Sequence, residues 1–180
     1  MDFSDNEYTL KQKMVRNAYT LYDSSGDEVF SSKQELMKMK EKFPFKDPDG
    51  NEVFRVEAQK IVDIAGDYAL VDCETEETFA VLKKEFTFLT ESWKIEDADG
   101  NKIAQIESRS KIFGIARTIS DVADFLPHKY TIENSEGENI GKIKGKFSIK
   151  DTYKISLNEN LEHKDPILAA SVTIDALEGN

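Results

Sequence analysis

The feature that most constrains this fold is an apolar stretch near the end of the chain, residues 165–177. Asp165 can cap a helix, and Pro166 suits a first helical position, where the missing N–H costs nothing. The large apolar residues that follow go nearly all the way round the helix: Ile167, Leu168, Val172, Ile174 and Leu177. About twelve helical residues span roughly 18 Å, against roughly 30 Å of bilayer hydrocarbon. We therefore predict a helix buried in the core of the protein.

A strand–turn–strand unit is repeated five times in the rest of the chain. Each unit has an aromatic or β-branched strand, then Asp-x-x-Gly or a variant, then a second β-rich strand. The turns begin at Asp23, Asp47, Asp72, Asp97 and Asn134. An Asp or Asn side chain here bonds forward to the backbone, and the glycine takes the left-handed position that closes a β-hairpin. The third unit departs from the pattern because Thr75 replaces the glycine.

Five hairpins supply ten strands, and the segments 8–14 and 151–157 supply two more. Twelve regular strands favour a closed antiparallel β-barrel, because closure removes exposed sheet edges. A barrel of that size has more interior than its own side chains fill. We therefore predict a mainly β, single-domain protein (residues 1–180): a twelve-stranded closed antiparallel β-barrel around a buried C-terminal α-helix.

Two segments leave alternatives open. Residues 32–42 have good helix propensity, and Ser32 with Glu35 forms a capping-box pattern. Their position between two repeats instead predicts strand, turn and strand, which is the interpretation we favour. Residues 121–126, in the longest step between repeats, fit either a short helix or a long loop.

The charge balance limits the classes of partner. The chain has 35 acidic and 24 basic residues and a net charge of −11, which opposes non-specific binding to nucleic acid or to an anionic membrane. Cys73 is the only cysteine, so neither an internal disulfide nor a cysteine metal cluster is expected. The first residues have no basic region or apolar run typical of a signal peptide. We expect a cytoplasmic protein without transmembrane insertion.

Catalytic and metal motifs are weak. The segments 47–51 and 97–101 look like calcium loops, but an EF-hand needs glycine at position six and glutamate at position twelve, and here glycine is fourth. The contiguous residues 163–165 spell His-Lys-Asp without the spacing that a phospholipase D site needs. His128 and His163 are the only histidines, and there is no nucleophile elbow or Gly-rich phosphate loop. We predict no enzyme activity, no cofactor and no metal site.

Alternating lysines suggest a binding surface. Lys142, Lys144 and Lys146 recur at every second position, as do Lys38, Lys40 and Lys42. On a strand, each set lies on one face at steps of about 7 Å. Each set is either a solvated outer face or a site for an anionic head group. The second interpretation is compatible with the acidic net charge, because local charge decides contact while net charge governs long-range attraction.

The chain resembles the LURP-one-related family, whose fold is that of the tubby C-terminal domain. The resemblance depends on the order and spacing of several short motifs across nearly the whole chain: residues 8–13, 47–53, 128–131, 151–153 and 165–177. It implies a twelve-stranded barrel wrapped around a central hydrophobic helix. Proteins related to the family include plant defence-associated proteins, phosphoinositide-binding tubby proteins and phospholipid scramblases. No catalytic residue set is implied.

From these observations we expect a binding or scaffold protein that recognises lipid head groups or another phosphorylated ligand, with peripheral association at a membrane. The speculative ligand-binding residues are Lys142, Lys144 and Lys146. The alternative is a protein–protein interaction module without a small ligand, which suits the acidic surface. A hydrolase of unknown type is the third hypothesis.

Overall fold

The computed structural model describes residues 3–13, 18–33, 42–59, 67–86, 91–108, 129–145 and 152–178. These residues form twelve strands and one helix. The first six strands are β1 (Glu7–Lys13), β2 (Ala18–Tyr22), β3 (Glu28–Lys33), β4 (Lys42–Lys46), β5 (Glu52–Ala58) and β6 (Tyr68–Asp72). The next six are β7 (Thr78–Phe86), β8 (Glu91–Glu96), β9 (Lys102–Ser108), β10 (Lys129–Asn134), β11 (Asn139–Gly145) and β12 (Thr152–Leu157). The helix, α1, is Lys164–Glu178.

The strands form a closed barrel in which every neighbouring pair is antiparallel and consecutive in sequence, except for the closing pair of β1 and β12. That last pair includes Glu7 opposite Ser156 and Leu10 opposite Tyr153. The mainly β, twelve-stranded closed antiparallel barrel with a C-terminal helix is thus confirmed. The five repeated units are the hairpins β2–β3, β4–β5, β6–β7, β8–β9 and β10–β11.

The hairpin turns follow the chemistry expected of Asp-x-x-Gly. In the turn after β4, Asp47 Oδ1 accepts the Asn51 N–H at 2.8 Å, and Gly50 N–H donates to the Asp47 carbonyl at 3.0 Å. Gly50 has φ of 90°, a conformation that residues with a Cβ rarely adopt. Each of the five hairpin turns follows an even-numbered strand, and consecutive strands are antiparallel, so these turns all lie at one end of the barrel, here called the turn end.

The third turn also contains a residue in the left-handed conformation, but that residue is not glycine. Its left-handed residue is Glu76, with φ of 61°, and not the Thr75 that aligns with glycine in the repeat. The Glu76 carboxylate is held by the fork of the Arg55 guanidinium, at 2.6 and 3.0 Å. Arg55 also donates to Glu57 at 2.6 Å. We infer that these ion pairs offset part of the conformational cost at Glu76.

The helix α1 lies inside the barrel. Ile167, Leu168, Val172 and Ile174 are all at most 2% exposed, as predicted. Leu177 differs, because it is only partly buried at the edge of the core. The helix also begins one residue earlier than Asp165, at Lys164. Pro166 therefore occupies the third helical position, which is still within the first turn, where a backbone N–H has no intrahelical partner.

Two hydroxyl groups are buried in the middle of this helix. Ser171 Oγ donates to the Ile167 carbonyl at 2.7 Å, and Thr173 Oγ1 donates to the Ala169 carbonyl at 2.8 Å. Each hydroxyl is thereby satisfied within the helix itself, so the polar side chains need no partner from the barrel wall. This explains how a helix with polar residues is surrounded by apolar side chains on every side.

The two ambiguous segments fall largely outside the described residues. Ser32 and Lys33 end β3, and Lys42 begins β4, so the two ends of the segment 32–42 are strand as favoured. Residues 34–41 and 121–126 lie outside the described part of the chain. The helix α1 of the described residues is not long and apolar enough to cross a membrane.

Candidate anion-binding face

The lysines of β11 lie on the outer wall of the barrel. Ile140, Gly141 and Ile143 are buried, while Lys142 and Lys144 are exposed. This follows from the two-residue period of a strand, since Ile143 faces the interior and its neighbours on either side face outward. Two of the three predicted ligand-binding lysines are therefore on one exposed face, and Lys146 lies outside the described residues.

A third lysine joins this face from the neighbouring strand. The register of β11 with β12 places Lys144 opposite Lys154 and Lys142 opposite Ser156. On the other side, the backbone of Lys144 is opposite that of Lys129 in β10. Like charges directly opposite one another destabilise a sheet. We refer to Lys142, Lys144 and Lys154 as the lysine face.

One carboxylate borders the lysine face. Lys154 Nζ forms an ion pair with Glu7 Oε2 at 2.5 Å. Partial burial alone would raise the pKa of Glu7, but hydrogen bonds from Lys154 and Ser156 and the positive charges of Lys154 and Lys142 outweigh it and lower that pKa. Glu7 is therefore ionised and neutralises one lysine, which leaves the face with an excess of positive charge.

Lys142 and Lys144 differ from the other lysines whose side chains are described. Within the described residues, these two have no ion pair, hydrogen bond or aromatic contact. The others are engaged: Lys42 pairs with Glu57 at 2.8 Å, and Lys83 and Lys94 both pair with the buried Glu96, at 2.7 and 2.6 Å. Two ammonium groups on this face are thus free to bind an external anion.

The second set of alternating lysines, Lys38, Lys40 and Lys42, provides no unpaired lysine among the described residues. Lys42 is an exposed residue of β4 already paired with Glu57, while Lys38 and Lys40 lie outside the described residues. Sequence patterning found Lys142 and Lys144 but missed Lys154, because its place on the face depends on the pairing of β11 with β12. The one available signal was strand alternation in β12, where the exposed Lys154 lies between the partly buried Tyr153 and the buried Ile155.

The other candidate motifs are structural in the described residues. Asp97 Oδ1 accepts the N–H groups of Asp99 and Asn101, as expected of a turn. These hydrogen bonds, the side-chain bond from Asn101 above all, lower the pKa of Asp97. No group of three His, Cys, Asp or Glu side chains suited to a metal occurs in the described part of the chain. His163 is exposed, with Nε2 3.9 Å from Glu162; His128 lies outside the described residues.

Comparison with known proteins agrees with this architecture. The model of the LURP-one-related family matches residues 28–175. The chain belongs to the LURP-one-related family. A crystal structure of an Arabidopsis thaliana protein superposes with a TM-score of 0.60, over 97% of this chain and 94% of that one, at 8% sequence identity. At that identity the likeness shows the fold alone. A search of curated proteins found no sequence match.

Membership of the LURP-one-related family confirms the resemblance deduced from the short motifs. The family match covers the second strand of the first hairpin, the other four hairpin repeats and most of the helix, from the start of β3 to within three residues of the end of α1. It begins after β1, which supplies Glu7 to the border of the lysine face. The family thus accounts for the barrel and the helix, and the chemistry of the lysine face must be argued from this chain's own residues.

Proposed function

We propose that this LURP-one-related barrel is a binding protein that recognises a phosphorylated, anionic ligand at the lysine face. The observation that carries the proposal is the pair Lys142 and Lys144, exposed and without partners among the described residues, beside Lys154. A chain with a net charge of −11 has acidic side chains available to pair its lysines. Leaving two lysines unpaired next to a third costs stability, and such local conflicts are typical of functional sites.

The spacing of the face suits a phosphate group. Residues two apart on a strand are separated by about 7 Å, and neighbouring strands by about 4.8 Å. Lys142 and Lys144 therefore project from points about 7 Å apart, with Lys154 beside Lys144. Flexible lysine stems can bring these ammonium groups together around the oxygens of one phosphate or of two adjacent ones. A charge-assisted hydrogen bond to each oxygen is stronger than a neutral one.

The shape of the face favours a head group at a surface. The lysine face is an exposed strand surface, and two cavities of about 360 and 390 Å³ are lined by other residues at the turn end. A convex surface can contact a phosphate displayed by a lipid bilayer. The general acidity of the chain opposes long-range attraction, so we expect binding that is weak, selective for multiply charged head groups and sensitive to salt.

The test is co-sedimentation with vesicles of neutral lipid, anionic lipid and lipid containing phosphoinositide, at low and physiological salt. We expect salt-sensitive binding to the charged vesicles only, lost when Lys142, Lys144 and Lys146 are all replaced by Ser. Inositol hexakisphosphate as competitor separates a free phosphate ligand from a lipid. Unchanged binding by the triple variant, or equal binding to neutral vesicles, would overturn the proposal.

The alternative is a protein–protein interaction module without a small ligand. The turn end favours it, because the hairpin turns contain several carboxylates and no lysine or arginine: residues 23–27, 47–51, 72–77, 97–101 and 134–138. An exposed apolar patch on the wall would have favoured it further, but no large apolar side chain is exposed in the strands where burial is described. We therefore place the phosphorylated ligand first.

A further inference from the structure

The carboxylate of Glu7 reaches the lysine face from the neighbouring strand β1. Glu7 is opposite Ser156 of β12, and Ser156 is opposite Lys142 of β11, so these three residues form one row across three strands. Lys154 is on the same outward side of β12 as Ser156, since Ile155 between them is buried. Glu7 Oε2 is 2.5 Å from Lys154 Nζ. The carboxylate therefore lies among the side chains that we assign to the ligand.

The groups around the Glu7 carboxylate are those that bind a phosphate. The Lys154 ammonium and the Ser156 hydroxyl both donate to it, and the positive charge of Lys142 adds to their effect. Burial alone would raise the pKa of Glu7, but these three groups outweigh it and lower that pKa, so the side chain is an anion at neutral pH. Phosphate oxygens can accept from the same ammonium and the same hydroxyl. An anion of the chain itself is thus already bound at this end of the lysine face.

The backbone of Glu7 is held in place by the residues that precede it. Asp5 Oδ2 accepts the Ser24 N–H at 2.8 Å. Lys164 Nζ donates to the Asp5 carbonyl at 2.9 Å and to Asn6 Oδ1 at 2.7 Å. The Glu7 carboxylate therefore stays within reach of the lysine face at a high effective concentration, and it leaves the face only when its side chain rotates.

The ion pair of Glu7 is weak enough for a ligand to displace. The side chains of Lys154 and Glu7 are 52% and 42% exposed, and such a pair stabilises the protein little because water screens both charges. Glu96 differs, because it is only 5% exposed and pairs with both Lys83 and Lys94. A phosphate monoester has close to two negative charges at neutral pH, against one for a carboxylate. Exchange of the carboxylate for a monoester is therefore favourable, whereas a singly charged phosphodiester has no such advantage.

We infer that Glu7 is a built-in competitor of the ligand, which occupies Lys154 and Ser156 in the free protein and is displaced by a phosphate monoester. This inference rests on the proposed function; it adds Ser156 to the ligand-binding residues and a chemical class to the ligand. When the Glu7 side chain rotates away, the Lys154 ammonium and the Ser156 hydroxyl donate to the phosphate. Lys142 and Lys144 supply the remaining positive charge.

The experiment is co-sedimentation of the full chain with phosphatidylcholine vesicles that contain either phosphatidic acid, a phosphate monoester, or phosphatidylglycerol, a phosphodiester, at the same mole fraction. We expect the parent chain to bind phosphatidic acid at least tenfold more tightly than phosphatidylglycerol. Glu7→Gln keeps the size of the side chain and removes its charge. We expect this variant to bind phosphatidic acid about tenfold more tightly than the parent, because the competing charge beside Lys154 is gone.

Glu52→Gln is the matched control for Glu7→Gln. It removes one negative charge from another exposed ion pair, that of Glu52 with Lys46 at 3.5 Å, and so changes the net charge by the same amount. Its affinity for phosphatidic acid should equal that of the parent chain. Tighter binding by Glu52→Gln to the same degree as by Glu7→Gln would mean that net charge sets the affinity, and it would overturn the inference.

Ser156→Ala tests the shared donor in a double-mutant cycle. In the parent chain the Ser156 hydroxyl holds both the competitor and the ligand, so we expect its loss to change phosphatidic acid binding by less than about threefold. In the Glu7→Gln chain the same change should weaken binding about tenfold, because a hydrogen bond to a charged group is lost without compensation. Ser31→Ala, at a partly buried serine of β3, is the control and should have no effect in either chain.

Failure of the inference and failure of the proposed function give different results. Equal affinity of the parent chain and Glu7→Gln for phosphatidic acid, with binding lost on replacement of Lys142 and Lys144 by Ser, would overturn the inference and leave the proposed function intact. Equal binding of the two lipids by the parent would also overturn it, and no binding by either chain would overturn both proposals. Glycerol 3-phosphate separates the sources: release of the protein from the vesicles supports a free monoester, and unchanged sedimentation supports a membrane lipid.

Discussion

Lys144 lies directly opposite Lys154 on the antiparallel strands β11 and β12, so that two positive charges are adjacent on the outer wall. The ion pair of Lys154 with Glu7 neutralises one of them. Lys144 and its neighbour Lys142 have no such partner among the described residues. The arrangement is unfavourable by itself, and an anion bound between these side chains would make it favourable.

Replacing Lys142 and Lys144 together by Ser should separate binding from stability. We expect at least tenfold weaker binding to anionic vesicles at low salt, because two charge-assisted contacts to phosphate are lost. The free energy of unfolding should stay within about 0.5 kcal/mol of the parent value, since exposed surface substitutions rarely change it more. Vesicle co-sedimentation and urea denaturation measure the two effects.

Lys46→Ser is the matched control for the lysine face. Lys46 is an exposed strand lysine as well, but it pairs with Glu52 at 3.5 Å and belongs to β4. It should leave vesicle binding unchanged. Equal loss of binding in this variant would mean that charge anywhere on the wall matters and that the lysine face has no special role.

The buried helix allows a graded test of the core. Leu168 is fully buried and Leu177 only partly so. Leu168→Ala should lower the free energy of unfolding by about 2–5 kcal/mol, because a cavity remains inside a closed barrel. Leu177→Ala should lower the free energy of unfolding by a clearly smaller amount. Thermal or urea unfolding of the two variants decides the point, and equal costs would contradict the position of Leu177 at the edge of the core.

Truncation before Asp165 is the extreme case of the same test. Without α1 the interior apolar side chains have nothing to pack against, so the shortened chain should be unfolded or aggregated. Circular dichroism and size-exclusion chromatography check this. A truncated protein that melts cooperatively would show that the barrel does not need its helix.

Gly141 should be intolerant of any side chain. A Cβ there would lie 2.7 Å from the Ser156 carbonyl oxygen and 2.9 Å from a Leu157 methyl group, so the β11–β12 pair would have to separate. We expect Gly141→Ala to cost about 1–3 kcal/mol or more from overpacking. Gly50→Ala is the comparison, because nothing lies near its Cβ and only the positive φ opposes it. Unfolding midpoints of the two variants measure their relative stability. A smaller loss of stability for Gly141→Ala than for Gly50→Ala would contradict this packing.

Asp5 should contribute to acid sensitivity. The folded state lowers its pKa from 3.8 to about 2, chiefly through hydrogen bonds from Ser24. A lowered folded-state pKa contributes stability that is complete above the unfolded value and lost as the pH falls from about 3.8 to about 2. Other carboxyls with lowered pKa values, such as Asp72 and Glu96, add to the same trend. Asp5→Asn should therefore show a shallower fall of unfolding free energy below pH 4. Urea denaturation at several pH values measures it, and parallel curves would contradict it.

The barrel was predictable because its turns use local chemistry. Asp47 and Gly50 determine a hairpin through contacts within five residues, and the same pattern recurs at regular intervals. The third turn was predicted less well, since its left-handed residue is Glu76 and depends on Arg55, twenty-one positions away. The buried helix was predictable because large apolar residues occur nearly all the way round it. The partial exposure of Leu177 was not, because it depends on where the barrel ends.

The candidate sites were less predictable, because they depend on contacts between distant residues. Lys142 and Lys144 follow from strand alternation, but Lys154 joins them only through the register of β12. The segment before β1, which positions Glu7 on the lysine face, brings Asp5 together with Ser24, nineteen residues along the chain. The bond of Lys164 to Asp5 joins residues 159 positions apart. No periodicity in the sequence indicates either contact.

The pairing of β1 with β12 also has a consequence during synthesis. Glu7 leaves the ribosome long before its partner Ser156, and the helix that fills the barrel is made after both. Until then the growing chain has inward apolar strand faces and no core to cover them. Strands whose pairing partners are far away in the sequence fold slowly, and the unpaired strands are prone to aggregate. We therefore expect the nascent chain to depend on chaperones that shield apolar segments until translation ends.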